Sequence, residues 1–116
     1  ILIDGCHSFV SGKNLANYLR GINVKKIGIW SMSKNKNPEE FIKNFKNIFD
    51  KLFIIPLMDG SNIATSELYF AAKKYNLKVK VVKNINSAIK QSSNKEKKII
   101  CVFGSLYLCG DFLKSN

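Results

Sequence analysis

Two hydrophobic periods alternate along this chain, and that alternation leaves few folds open to it. Short apolar runs stand at Ile1 to Ile3, Ile27 to Trp30, Leu52 to Ile55, Val79 to Val82 and Ile99 to Phe103. Their length and β-branched content are those of buried strands. Between them, apolar residues recur at helical spacing: Leu15, Tyr18, Leu19 and Ile22; Phe41, Ile42, Phe45, Ile48 and Phe49; Leu68, Ala71, Ala72 and Tyr75; Ile85, Ala88 and Ile89; and a last segment from Leu106 to Leu113. A helix after each strand carries the chain back along the sheet, so successive strands run parallel. The pattern predicts an α/β domain of three layers, αβα, with a mostly parallel Rossmann-like sheet of about five to six strands and right-handed crossovers. The 116 residues suffice for one domain with its own core. No linker or repeat divides them, so residues 1–116 read as a single unit. Val79-Lys80-Val81-Val82 alternates most and belongs near an edge, whereas Ile99 to Phe103 is the strongest strand.

Local punctuation agrees. Asn37-Pro38-Glu39-Glu40 starts a helix: Asn can cap it, Pro fits the first position, and Glu falls three residues after the cap. Pro56 stops the third strand. The apolar runs are too short to span a bilayer, so no membrane partner is expected. The chain opens on Ile1-Leu2-Ile3-Asp4 inside a strand, with neither Met nor a basic leader, and reads as a fragment of a longer protein.

Composition narrows the function classes. Three cysteines, Cys6, Cys101 and Cys109, form no C-x-x-C pair, which argues against a disulfide framework and a zinc site and fits a cytoplasmic location. The net charge is +11. It could serve a nucleic acid or draw in small anions, or it could reflect a Lys-, Asn- and Ile-rich composition. The lysines are spread rather than clustered, without the aromatic interleaving of a single-strand groove. The dense run from Asn94 to Lys98 reads as a solvated loop. A nucleic-acid partner is therefore not expected.

In a parallel sheet the ligand lies beyond the carboxyl ends of the strands. That rule selects Asp4 to Ser8, Ser31 to Asn37, Pro56 to Ala64, Lys83 to Asn86, and Gly104 to Tyr107. An Asp at a strand end can accept hydrogen bonds from a ribose diol, Gly5 permits a sharp turn, and His7 precedes a helix whose positive end favours anions. Ser105 offers a hydroxyl and free backbone amides at a helix start. Lys34 and Lys36 could meet phosphate or carboxylate. Ordinary caps, turns and surface lysines would look the same in sequence, and Asp59-Gly60-Ser61-Asn62 is first a turn signal. No G-x-x-x-x-G-K-[ST] loop, no G-x-G-x-x-G and no metal-ligand cluster is present.

Two of these segments together carry a resemblance. Asp4-Gly5-Cys6-His7-Ser8 resembles the D-G-A-H-N stretch that opens the C-terminal domain of the folylpolyglutamate synthase/dihydrofolate synthase family, within the Mur ligase superfamily. Gly104-Ser105-Leu106-Tyr107-Leu108-Cys109-Gly110-Asp111 resembles the G-S-L-Y-L-V-G-E stretch that closes it, and Met32 to Asn37 is similar to the G-M-L-x-D-K-D loop between them. Ser8 and Phe9 stand where the family has Asn and Pro, Asn37 where it has Asp, and no arginine falls between Pro56 and Glu67. The resemblance implies the C-terminal glutamate ligase domain of an ATP-dependent amide ligase. That enzyme phosphorylates a dihydropteroate or folate carboxylate and displaces the phosphate with the amine of L-glutamate. A preceding P-loop ATPase domain, not in this chain, would bind most of the ATP and Mg2+. Carried over, Asp4 and Gly5 meet ATP and His7 and Ser105 meet glutamate. Ser8, Lys36 and Tyr107 are further candidates, with no catalytic acid, base or nucleophile and no metal ligand from this domain. The resemblance further suggests a monomer, and without a phosphate-binding loop this chain alone is expected to be inactive. A Mur-type peptidoglycan-precursor ligase shares the fold and the ATP chemistry, but Gly104-Ser105-Leu106-Tyr107 favours folate. A basic nucleic-acid-binding module is the non-enzymatic alternative.

Overall fold

A computed structural model describes residues 1–115. The elements follow in order as β1 (Leu2–Asp4), α1 (Phe9–Arg20), β2 (Lys25–Trp30), α2 (Pro38–Ile42), a 3₁₀ turn (Lys43–Phe45), β3 (Lys51–Ile54), α3 (Thr65–Lys74), β4 (Val79–Val81), α4 (Ile85–Ser92), β5 (Lys98–Phe103) and α5 (Leu106–Ser115). The five strands form one sheet in the order β1-β5-β2-β3-β4, and every pairing is parallel. The αβα expectation holds. β4 lies at an edge, and β5, the most apolar strand, lies between β1 and β2.

Alternation along the strands sorts the side chains into two cores. Trp30, Leu52, Ile54, Cys101 and Phe103 face α1, α2 and α3. Ile29, Phe53, Ile55 and Val102 face α4 and α5. The first core is aromatic: Phe103 stands 4.9 Å from Phe45 and 5.2 Å from Phe49, and Phe41 stacks 6.2 Å from Trp30. Burying each such ring contributes about 1.5–3 kcal/mol.

Helix ends follow the local chemistry. Asn37 Oδ1 accepts from Glu40 N at 3.2 Å with Pro38 at the first position. Ser8 caps α1 in a reciprocal capping box with Ser11. The second helix departs from expectation. Phe41, Ile42, Phe45, Ile48 and Phe49 are all buried, yet the α-helix stops at Ile42. Two asparagines keep the segment from continuing as one helix. Asn44 Nδ2 donates to the Phe41 carbonyl at 3.0 Å, competing for a helical acceptor, and Asn47 adopts a left-handed φ of 64°. Ile48 and Phe49 reach the core from a turn instead. Lys98, read as loop, is the first residue of β5.

Candidate functional site

The direction of the crossovers creates the site. After β2 the chain leaves toward the α1–α3 face, and after the neighbouring β5 it leaves toward the α4–α5 face. The two exits diverge and open a crevice beyond the carboxyl ends. A pocket of about 140 Å³ sits there, lined by His7, Ser33, Lys36, Ser105 and Tyr107 over Gly104. An adjoining recess of about 290 Å³ shares His7 and Lys36 and adds Ser8, Asn37 and Glu40. His7, Ser8, Lys36, Ser105 and Tyr107, predicted from distant parts of the sequence, thus converge.

Each is placed by its own local structure. Gly104 has a φ of +101°, and a Cβ there would overlap the Ser31 carbonyl and the Trp30 ring. Only glycine lets β5 turn this tightly into α5. Ser105 is 2% exposed, and its Oγ accepts from Tyr107 N at 3.1 Å and Leu108 N at 3.4 Å, capping α5. Lys36 follows Asn35, whose φ of 75° folds the loop after β2. The lysine is exposed. His7 is half-buried directly before the α1 cap, and no hydrogen bond to its ring is recorded among the described residues. Ser8 spends its hydroxyl on the cap, accepting from Ser11 N at 3.2 Å. A lysine side chain, an imidazole and the amino end of a helix are groups whose charge or dipole favours an anion.

Asp4 and Gly5 lie apart from this group. Asp4 Oδ1 accepts from Cys6 N at 2.9 Å, and its carboxylate borders a separate groove with Ser11, Asn14 and Tyr18 across the edge of β1. Gly5 packs beneath the Leu106 side chain, which a Cβ would strike. Segment 83–86 faces another hollow of about 400 Å³ between the exits of β3 and β4. Asp59 to Asn62 is indeed a turn, with Asp59 Oδ1 accepting from Ser61 N at 3.0 Å, and the same loop braces the end of β2. Ile63 N donates to Met32 O at 2.8 Å and Lys34 N to Ser61 O at 3.2 Å.

That brace holds Ser33, the pocket residue that sequence reasoning passed over within the Met32 to Asn37 loop. Its Oγ stands 3.4 Å from Ser105 Oγ. A lone serine in a loop carries no spacing signal, and only the fold brings it to the pocket. Trp30 Nε1 and Ser31 Oγ, at the exit of β2, are buried without a hydrogen-bond partner among the described residues. Unpaired groups of this kind cost about 1–3 kcal/mol each, and here they adjoin the site.

The three thiols are buried. Burial, reinforced by the nearby Asp4 carboxylate, pushes Cys6 far above the ordinary thiol range and Cys101 up to about 12. Such thiols stay protonated and unreactive at neutral pH. Among the described residues no group of three or more His, Cys, Asp or Glu stands together. No helix of the described residues is long and apolar enough to cross a membrane.

Comparison with curated proteins by sequence finds no match. Among solved structures, Mycobacterium tuberculosis folylpolyglutamate synthase complexed with ADP and AMPPCP superposes with a TM-score of 0.84 at 16% identity, over 97% of this chain and 29% of its own. Escherichia coli FolC in complex with DHPP and ADP gives 0.82 at 14%, over 97% and 28%. Thermotoga maritima folylpolyglutamate synthase gives 0.78 at 22%, over 91% and 25%. These likenesses establish the fold, and the chain spans less than a third of the length of each structure. The family described as dihydrofolate synthetase, C-terminal domain, matches residues 1–115. With the alternating fold and the two end motifs in place, the chain belongs to the dihydrofolate synthetase C-terminal domain family.

Proposed function

We propose that the protein joins L-glutamate to the carboxylate of dihydropteroate or folate at the expense of ATP, and that this chain is its C-terminal domain. The observation that carries the reading is the convergence of His7, Lys36 and Ser105 on one pocket, in a chain that matches the family over residues 1–115. A preceding P-loop domain would hold the nucleotide phosphates, Mg2+ and the pteridine substrate. This domain contributes positioning. Lys36, His7 and the amino end of α5 hold a glutamate carboxylate and leave its amine free to attack. Fixing the amine beside an activated carboxyl group replaces a bimolecular encounter with an oriented one. Asp4 retains a carboxylate at the end of β1 for the ATP ribose, in its own groove beside α1. Gly5 supports that corner by letting Leu106 pack close.

In the full-length protein, His7→Ala and Lys36→Ala are each expected to raise the KM for glutamate about tenfold, or about 1.4 kcal/mol. The KM for ATP should stay near its starting value. Glutamate kinetics unchanged in both variants would take this pocket out of the reaction.

A further inference from the structure

We infer that Ser33 is the hydroxyl that meets the ligand carboxylate in the pocket, with Ser105 acting through it from behind. The inference rests on reading the pocket as an amino-acid carboxylate site. A serine hydroxyl has one hydrogen to donate and two lone pairs to accept with. Ser105 Oγ already accepts from Tyr107 N at 3.1 Å and Leu108 N at 3.4 Å. Both of its lone pairs are committed to capping α5, and only its hydrogen remains. Ser33 Oγ lies 3.4 Å away. A hydrogen given to Ser33 leaves the Ser33 hydroxyl free to point its own hydrogen elsewhere. No other side-chain hydrogen bond of Ser33 is recorded among the described residues.

Exposure and backbone agree. Ser105 is buried, whereas Ser33 is half-buried and lines the pocket with His7 and Lys36. The backbone of Ser33 is clamped on both sides: it bridges Asn62, Met32 O accepts from Ile63 N at 2.8 Å, and Lys34 N donates to Ser61 O at 3.2 Å. A rigid donor beside a cation and the positive end of a helix selects an anionic acceptor with accessible lone pairs, such as a carboxylate. The 3.4 Å separation is long for two hydroxyls. An anion bound to the Ser33 hydrogen makes Ser33 Oγ a better acceptor, and the link to Ser105 tightens on binding.

The test is a set of full-length variants assayed for glutamate-dependent ligation. Ser33→Ala should raise the KM for glutamate about five- to tenfold, with kcat and the KM for ATP changed less than about twofold. Ser33→Thr, which keeps the hydroxyl, should recover most of the affinity. Ser105→Ala also removes the cap of α5, so the coupling is the readout: the loss in the Ser33→Ala, Ser105→Ala double variant should be clearly smaller than the sum of the two single losses, because part of the effect of Ser105 runs through Ser33. Three outcomes would overturn the inference. Ser33→Ala could leave the glutamate KM unchanged while His7→Ala and Lys36→Ala raise it, which refutes the role of Ser33 and spares the pocket. None of the three could move it, which removes the pocket as well. Independent, additive losses from Ser33→Ala and Ser105→Ala would show that Ser105 does not act through Ser33. Should Ser33→Ala fold poorly, Ser33→Thr against Ser33→Val reads the same hydroxyl at matched shape.

Discussion

Replacing Gly104 with alanine is expected to cost about 2–6 kcal/mol of stability and to distort the pocket above it. Two effects add. The φ of +101° is a conformation that L side chains rarely adopt, and forcing one there costs about 1–3 kcal/mol. The new Cβ would also overlap the Ser31 carbonyl oxygen and the Trp30 ring, with Trp30 Nε1 2.7 Å away. Neither neighbour yields easily. One is backbone at the end of a central strand, and the other is a fully buried ring stacked 6.2 Å from Phe41. Overlap in a filled core adds about 1–3 kcal/mol. Gly110 offers the contrast, because a Cβ there meets nothing within 4 Å. Equilibrium urea unfolding checks the prediction, and a loss below about 1 kcal/mol would mean that the turn into α5 is not built as described.

Phe103→Ala should destabilise by a similar amount, about 3–5 kcal/mol, through a different cause. Phe103 is fully buried at the end of β5. Its ring lies 5.9 Å from Phe41, 4.9 Å from Phe45 and 5.2 Å from Phe49, so removing it opens a cavity bordered by three rings. The same side chain packs the 3₁₀ turn against the sheet where the helix has already ended. Phe103→Leu, which fills most of the volume, should cost about 1–1.5 kcal/mol. Equal losses for alanine and leucine would argue that ring stacking rather than volume holds this end of the core.

Much of this architecture is legible in the sequence because it is written in local periods. The uninterrupted Ile99 to Phe103 run becomes a strand flanked on both sides, and the alternating Val79-Lys80-Val81 becomes an edge. The insertion of β5 between β1 and β2 is a pairing across almost the whole chain, and no local period encodes it. The second helix is shorter than its hydrophobic spacing, which continues through Ile48 and Phe49, because the side chain of Asn44 and the left-handed backbone of Asn47 break it up. Of the candidate site, His7, Lys36 and Ser105 were legible from the strand-end rule and the resemblance. Ser33 was not, since its importance lies in a single contact with a residue far along the chain. Nor was the separation of Asp4 from His7, three residues apart in sequence, because Asp4 is the last residue of the edge strand and His7 lies in the turn beyond it.

The central claim is that this domain serves a glutamate ligase, and the most direct measurement is product formation by the full-length protein. Incubated with ATP, Mg2+, dihydropteroate or a reduced folate, and L-glutamate, it should yield a product one glutamyl residue heavier, together with ADP and phosphate in equal amount. ATP turnover should depend on glutamate, and the 116-residue chain alone should show none, since it lacks a phosphate-binding loop. Ligase activity with a peptidoglycan precursor in place of the folate, or no amide product from any pteroate or folate acceptor, would contradict the account.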